Sequence, residues 1–168
     1  CLVSIVDENG ASTSSTVEVT VSNSAPHFNS VASISPNASV YNDSVLTCGA
    51  VAADVDGDAP TMSYEWKNDT RGTVIGTSAS LTLQPDLADA NDSIICKVTA
   101  TDVKQVTAFS EASIVVESAA PTFTAQATVS PNSSVTTAST LTCNATAIDR
   151  NGQAMSLDIE WLNDNGNV

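Results

Sequence analysis

The chain has 168 residues, and its 19 acidic against five basic side chains give a formal net charge of -14. A surface of that sign repels phosphate backbones and anionic lipid, which argues against nucleic acid or a charged membrane face as the partner. No apolar run approaches the roughly 20 residues of a membrane-spanning helix, and the 42% hydrophobic content, with only 4% aromatics, suits short strands around a packed core.

In chain order, residues 1–6 and 12–21 read as two strands joined by the hairpin signal Asp7-Glu8-Asn9-Gly10. Ser24-Ala25-Pro26 is a short, proline-stiffened linker. His27–Ser35 is the next predicted strand, ended by Ser35-Pro36-Asn37, and Val45–Ala53 follows it. After a loop over 54–60, residues 61–67 alternate with Met62, Tyr64 and Trp66 on one face. A turn at 68–72, a short edge strand at 74–75 and a strand at 80–83 come next. The polar stretch 85–92 is a crossing, a strand runs through Cys96, and another covers 106–116. Ala119-Ala120-Pro121 repeats the linker, and strands are again expected up to Trp161. No segment of useful length has helical periodicity.

The strongest signal is an internal repeat. A shift of 95 residues lays 1–73 on 96–168 without a gap, with about 27 of the 73 pairs identical. Cys1 falls on Cys96, Ser35-Pro36-Asn37 on Ser130-Pro131-Asn132, Leu46-Thr47-Cys48 on Leu141-Thr142-Cys143, and Glu65-Trp66 on Glu160-Trp161. The expected organisation is a window on a tandem array: closing strands of one unit in 1–24, a complete unit in 25–118, and opening strands of another in 119–168. With neither an initiator Met nor a leader pattern, the chain reads as cut from something longer.

Cys48 in LTCGAVAAD, Trp66 in MSYEWKN and Cys96 in DSIICKVTATD follow one another in separate β-prone runs. That order, and the run SASLTLQPDLADANDSIICKVTATD, resemble strands B, C, E and F of immunoglobulin-like domains. Ile94 stands where many members carry a tyrosine, so the tyrosine corner is not expected. The pattern SPN.SV....LTC.A.A.D..G.A....YEW is similar to tandem immunoglobulin-like repeats of large bacterial and archaeal surface, adhesin or filament proteins. The resemblance implies an all-β fold, tandem immunoglobulin-like β-sandwiches of Greek-key topology, with a Cys48–Cys96 bond between the sheets and Trp66 and Trp161 in cores. It also implies an extracellular or cell-surface setting, because such a bond needs an oxidising compartment. Cys1 and Cys143 then pair with sequence outside this window or with a neighbouring subunit. Four cysteines lacking a CxxC pair, with His27 remote from them, do not make a zinc site.

Asp54-Val55-Asp56-Gly57-Asp58 offers closely spaced carboxylates around a glycine turn, a calcium-like donor set without the full EF-hand spacing. In an immunoglobulin topology the acidic crossing with Asp86, Asp89 and Asp92 would face Asp149 and Asn151 of the next unit, and calcium held there would stiffen the array. The bland reading is solvated loop carboxylates, and Asp149-Arg150-Asn151-Gly152-Gln153 has lost two of the charges. Six N-x-S/T sequons, at Asn37, Asn42, Asn68, Asn91, Asn132 and Asn144, are candidate glycan sites. All but Asn144 fall in predicted turns or loops. The single histidine, His27, and the missing GxSxG, HExxH and phosphate-loop patterns argue against an enzyme. The expected function is a structural segment of an extracellular array, a stalk or filament component that contacts neighbouring copies of its own repeat. An adhesin or carbohydrate-binding unit, or a spacer of a secreted enzyme, is the alternative. Tyr41 and Tyr64 are not obviously paired as a glycan platform.

Overall fold

The computed structural model describes residues 1–163 and 166–167, and those residues are all-β. β1 (Leu2–Val6) and β2 (Ser12–Thr16) form an antiparallel hairpin. Its turn is tied by Asp7, whose Oδ1 accepts the N–H groups of Asn9 and Ala11, both at 2.9 Å. β2 ends at Thr16 rather than at the expected residue 21 because Leu2 already pairs with Thr16, leaving nothing in β1 to face 18–21.

The central body holds β3 (His27–Ser35), β4 (Val45–Ala53), β5 (Thr61–Asn68), β6 (Thr73–Gly76), β7 (Ser80–Thr82), β8 (Ser93–Thr101) and β9 (Thr107–Val115). They build two antiparallel sheets of order β3-β4-β7 and β6-β5-β8-β9. Strand alternation decides what faces inward: β8 buries Ile94, Cys96, Val98 and Ala100, while β4 buries Leu46 and Cys48. The sheets close over these residues together with Val40, Trp66, Leu83 and Val116. Cys48 and Cys96 are disulfide-bonded with their Cα atoms 6.4 Å apart, so the bond ties one sheet to the other. Trp66 is fully buried and donates from Nε1 to the Ser78 carbonyl at 2.8 Å, the partner a buried indole requires. Gly76 allows this packing, since a Cβ there would lie 3.0 Å from Leu81 Cδ1 and 3.5 Å from the indole.

Beyond Ser35 the chain crosses toward the other sheet. Ser39 donates its N–H to Glu117 Oε1 at 2.7 Å and the Glu117 N–H reaches the Val40 carbonyl at 2.6 Å, sealing the edge of β9.

β10 (Thr122–Ser130) and β11 (Thr142–Ile148) pair in a register that reproduces that of β3 and β4, partner for partner, 95 residues on. Ile34 opposite Cys48 becomes Val129 opposite Cys143, and both register shifts recur at equivalent positions. β12 (Leu162–Asn163) and β13 (Gly166–Asn167) form a short hairpin. The strand expected to run up to Trp161 is absent, with no strand over 154–161. The reason is a missing ladder: β5, its counterpart, pairs along its whole length with β8, and among the described residues no strand takes that place beside 156–161. Trp161 is therefore no core residue here, being 40% exposed where Trp66 is 0%.

Candidate functional site

The loop 54–58 does not gather its carboxylates around a common centre. Asp54 Oδ1 accepts the Asp56 N–H at 2.8 Å, and Asp56 Oδ2 accepts the Ser24 N–H at 2.6 Å. Ninety-five residues on, Asp149 Oδ1 accepts the Asn151 N–H at 2.8 Å and Asn151 Oδ1 accepts the Ala119 N–H at 2.7 Å. Both linkers are thus held by one side-chain oxygen from the loop that follows. A carboxamide offers that oxygen as well as a carboxylate does, which accounts for Asn151 standing where the first copy has Asp56.

The acidic crossing is occupied by Arg71. Its Nη1 donates to the Asp86 carbonyl at 2.8 Å, its Nη2 lies 2.7 Å from Asp89 Oδ2 and its Nε 3.0 Å from Asp92 Oδ2. Asp92 also accepts from Asn68 Nδ2 at 2.7 Å and from the Asp89 N–H at 2.9 Å. Burial opposes ionisation of Asp92, yet the Asp89 N–H, Asn68 and Arg71 outweigh it and hold the carboxyl below the usual range. The expected meeting of Asp86, Asp89 and Asp92 with Asp149 and Asn151 does not occur in the observed contacts. A single guanidinium meets the first three, while Asn151 contacts the corner formed by Asn42 and Glu117. Among the described residues no three His, Cys, Asp or Glu side chains are grouped as a metal would need.

That corner is the most elaborate polar contact between distant parts of the chain. Arg150 makes a two-point ion pair with Asp43, Nη2 to Oδ1 at 3.0 Å and Nε to Oδ2 at 3.1 Å, and its guanidinium carbon sits 4.0 Å from the centre of the Tyr41 ring. Asn42 donates to the Asn151 carbonyl at 2.7 Å, and Asn151 Nδ2 donates to the Glu117 carbonyl at 3.1 Å. Asn42 and Asn151 are buried by this contact, whereas the ion pair is half exposed. Sequence reasoning passed over Tyr41, Asn42, Asp43 and Arg150 as contact residues. The available signal was departure from the repeat, since their counterparts are Thr136, Thr137, Ala138 and Val55.

At the other end, Asn23 Nδ2 donates to Asp102 Oδ2 at 2.8 Å, while Asp102 Oδ1 accepts from Lys104 and Val106 N–H groups at 2.7 and 2.8 Å. The Asn23 bond leads the causes that hold the Asp102 carboxyl below its usual range. Asp7 builds the same turn without such a partner.

Two of the six sequons are closed to a glycan. Asn42 and Asn68 are 1% and 0% exposed, and their Nδ2 atoms are spent on Asn151, and on Leu87 and Asp92. Asn68 also lies in β5 rather than in the expected turn. Asn37, Asn91, Asn132 and Asn144 are exposed. Folded protein secreted from a glycosylating host should carry N-glycans only at these four positions. Glycopeptide mapping that found occupied Asn68 in folded material would contradict the burial seen here. His27 is exposed at the start of β3, opposite Ala53.

No family model, curated protein or solved structure matches this chain.

Proposed function

We propose that the chain is a structural segment of an extracellular tandem array of immunoglobulin-like β-sandwiches, serving as a stalk or filament component in which each unit is clamped to the next. The observation that carries this reading is the recurrence, 95 residues apart, of the linker bond Ser24 N–H to Asp56 and Ala119 N–H to Asn151. A chain in which units merely trailed on free linkers would have no need to fix both linkers by the same atom. The repeated strand register, and an inter-sheet disulfide that forms in oxidising surroundings, support the same reading.

Arg150 is the part to test, because it adds to the linker bond a contact that sets angle. Exposed ion pairs contribute about 0.2–1 kcal/mol and exposed cation–π contacts about 0.5–1 kcal/mol. Arg150→Val, the residue of the equivalent position in the first copy, should therefore shift the unfolding midpoint of the central body little. It should broaden the angle between the β10–β11 pair and that body. Distances between spin labels on β9 and β11 would narrow to one population in the parent and spread in the variant. Equal breadth in both would defeat the proposal that the contact is a clamp.

A further inference from the structure

Asn151, which holds the second linker, is followed by glycine. In an Asn-Gly pair the glycine nitrogen, with no Cβ to shield it, can attack the asparagine carboxamide carbon, and such asparagines are chemically labile. The chain has three such pairs, at Asn9, Asn151 and Asn165, the last outside the described residues. The first two sit in the same backbone turn. Asn9 and Asn151 each donate the main-chain N–H to the carboxylate two residues earlier, at 2.9 and 2.8 Å. Gly10 and Gly152 each donate to the carbonyl of that aspartate at 3.1 Å, with φ of 87° and 73°.

The two side chains are treated differently. Asn9 is exposed, as is Lys104 at the same place in the central body, and the Asn9 carboxamide makes no hydrogen bond among the described residues. Asn151 is 4% exposed, with Oδ1 bound to the Ala119 N–H at 2.7 Å and Nδ2 to the Glu117 carbonyl at 3.1 Å. Asn42 closes over it, donating to the Asn151 carbonyl at 2.7 Å. A carboxamide fixed at both ends cannot turn to bring its carbon over the Gly152 nitrogen, and a buried one lacks the water that completes the reaction.

We infer that Asn151 is a deamidation site gated by the joint it holds: Asn151-Gly152 reacts when the corner at Tyr41 to Asp43 opens, and the product keeps that corner from closing again. The inference takes from the reading above only that this contact clamps the joint. In the open joint the Gly152 nitrogen bonds to Asn151 Cγ, and Nδ2 leaves as ammonia with the amide proton, giving a five-membered imide. Water then adds to either imide carbonyl and opens the ring to aspartate or isoaspartate. One carboxamide and one water become one carboxylate and one ammonium, with no change of oxidation state. Aspartate is what the first copy carries here, as Asp56, and it keeps an oxygen for the linker N–H. It has no donor for the Glu117 carbonyl, and sets an anionic oxygen against that carbonyl where Nδ2 stood. Isoaspartate lengthens the main chain by one carbon and disrupts the turn. Either product converts a held joint into a loosely tied one, so opening leaves a lasting chemical mark.

The test incubates the 168-residue chain in warm, mildly alkaline buffer and follows aspartate and isoaspartate at each Asn-Gly pair by peptide mapping. Asn9 should convert, and Asn151 should lag it by about tenfold or more, because it reacts only in the fraction of molecules whose joint is open. Asn42→Thr combined with Asp43→Ala removes the body's side of the contact and leaves the reacting turn untouched. The second copy carries Thr137 and Ala138 at these places in the same turn, where the Tyr41 N–H to Ser44 Oγ bond recurs from Thr136 to Ser139, both at 2.9 Å, so the variant should fold. In it Asn151 should convert at close to the Asn9 rate, with the Cys48–Cys96 bond retained. Asn151→Asp should spread the spin-label distances between β9 and β11. Asn151 converting as fast as Asn9 in the parent, a rate unmoved by the double variant, or distances as narrow in Asn151→Asp as in the parent would each overturn the inference. The clamp is judged separately: broad distances in the parent remove it, whereas narrow ones with fast conversion of Asn151 remove this inference alone.

Discussion

Replacing Cys48 and Cys96 together by alanine is expected to lower the stability of the central body by roughly 4 kcal/mol, the loop-closure entropy that a 48-residue separation removes from the unfolded chain. Small domains are stable by only about 5–15 kcal/mol, so the variant should unfold at much lower urea. Two features make the effect large. The bond joins sheets whose strands are not paired to one another by a backbone ladder, and its cysteines lie inside the same apolar cluster as Trp66 and Val98. Urea titration followed by the fluorescence of Trp66, in a Trp161→Phe background, measures it. A midpoint unchanged by the double substitution, or by reduction of the parent, would contradict the structural role given to the bond.

Asn68→Ala should be the most damaging single polar substitution, costing about 2–3 kcal/mol at neutral pH. Its carboxamide donates to Leu87 and Asp92 and accepts from the Arg71 N–H, so removal leaves buried groups without partners. The pH dependence follows from Asp92. Its carboxyl is held below the unfolded value of about 3.9, so its stabilising contribution is present above that value and is lost as pH falls through the lower native one. The gap between parent and Asn68→Ala should accordingly narrow below about pH 4 as Asp92 is protonated in both. It should not vanish, because the Leu87 and Arg71 bonds do not titrate in that range. Unfolding midpoints of the parent, Asn68→Ala and Asp92→Asn across pH 2.5 to 7 test this, and a gap that stayed constant would exclude Asp92 as its source.

Much of the fold was legible because it is written in local or periodic form. Alternation over 45–53 located β4 and set Cys48 on the same face as Leu46, and the β-prone run through Cys96 located β8. The hairpin at 7–10 was readable from its turn residues. The contact residues were not. Asn42 meets Asn151 and Asp43 meets Arg150 across 109 and 107 residues, and no local pattern announces a pairing at that range. Composition also misled where a residue type has several uses. The acidic crossing looked like a cation site, but Arg71, a turn residue in the sequence, reaches it in space. Asn42 and Asn68 matched the glycan signal because the sequon is three residues long and carries no information on burial.

Sequence alone determined the strand period, the 95-residue repeat and the positions of the cysteines and tryptophans, because each is a property of neighbours along the chain or of the chain compared with itself. Only the tertiary structure decided that Asp56 and Asn151 hold linkers, that Arg71 pairs with Asp89 and Asp92 in the crossing, and that Trp66 is buried while Trp161 is not. Burial and electrostatic partnership depend on which strands arrive alongside. An identical Glu-Trp pair is core or surface according to whether a β8 lies across from it.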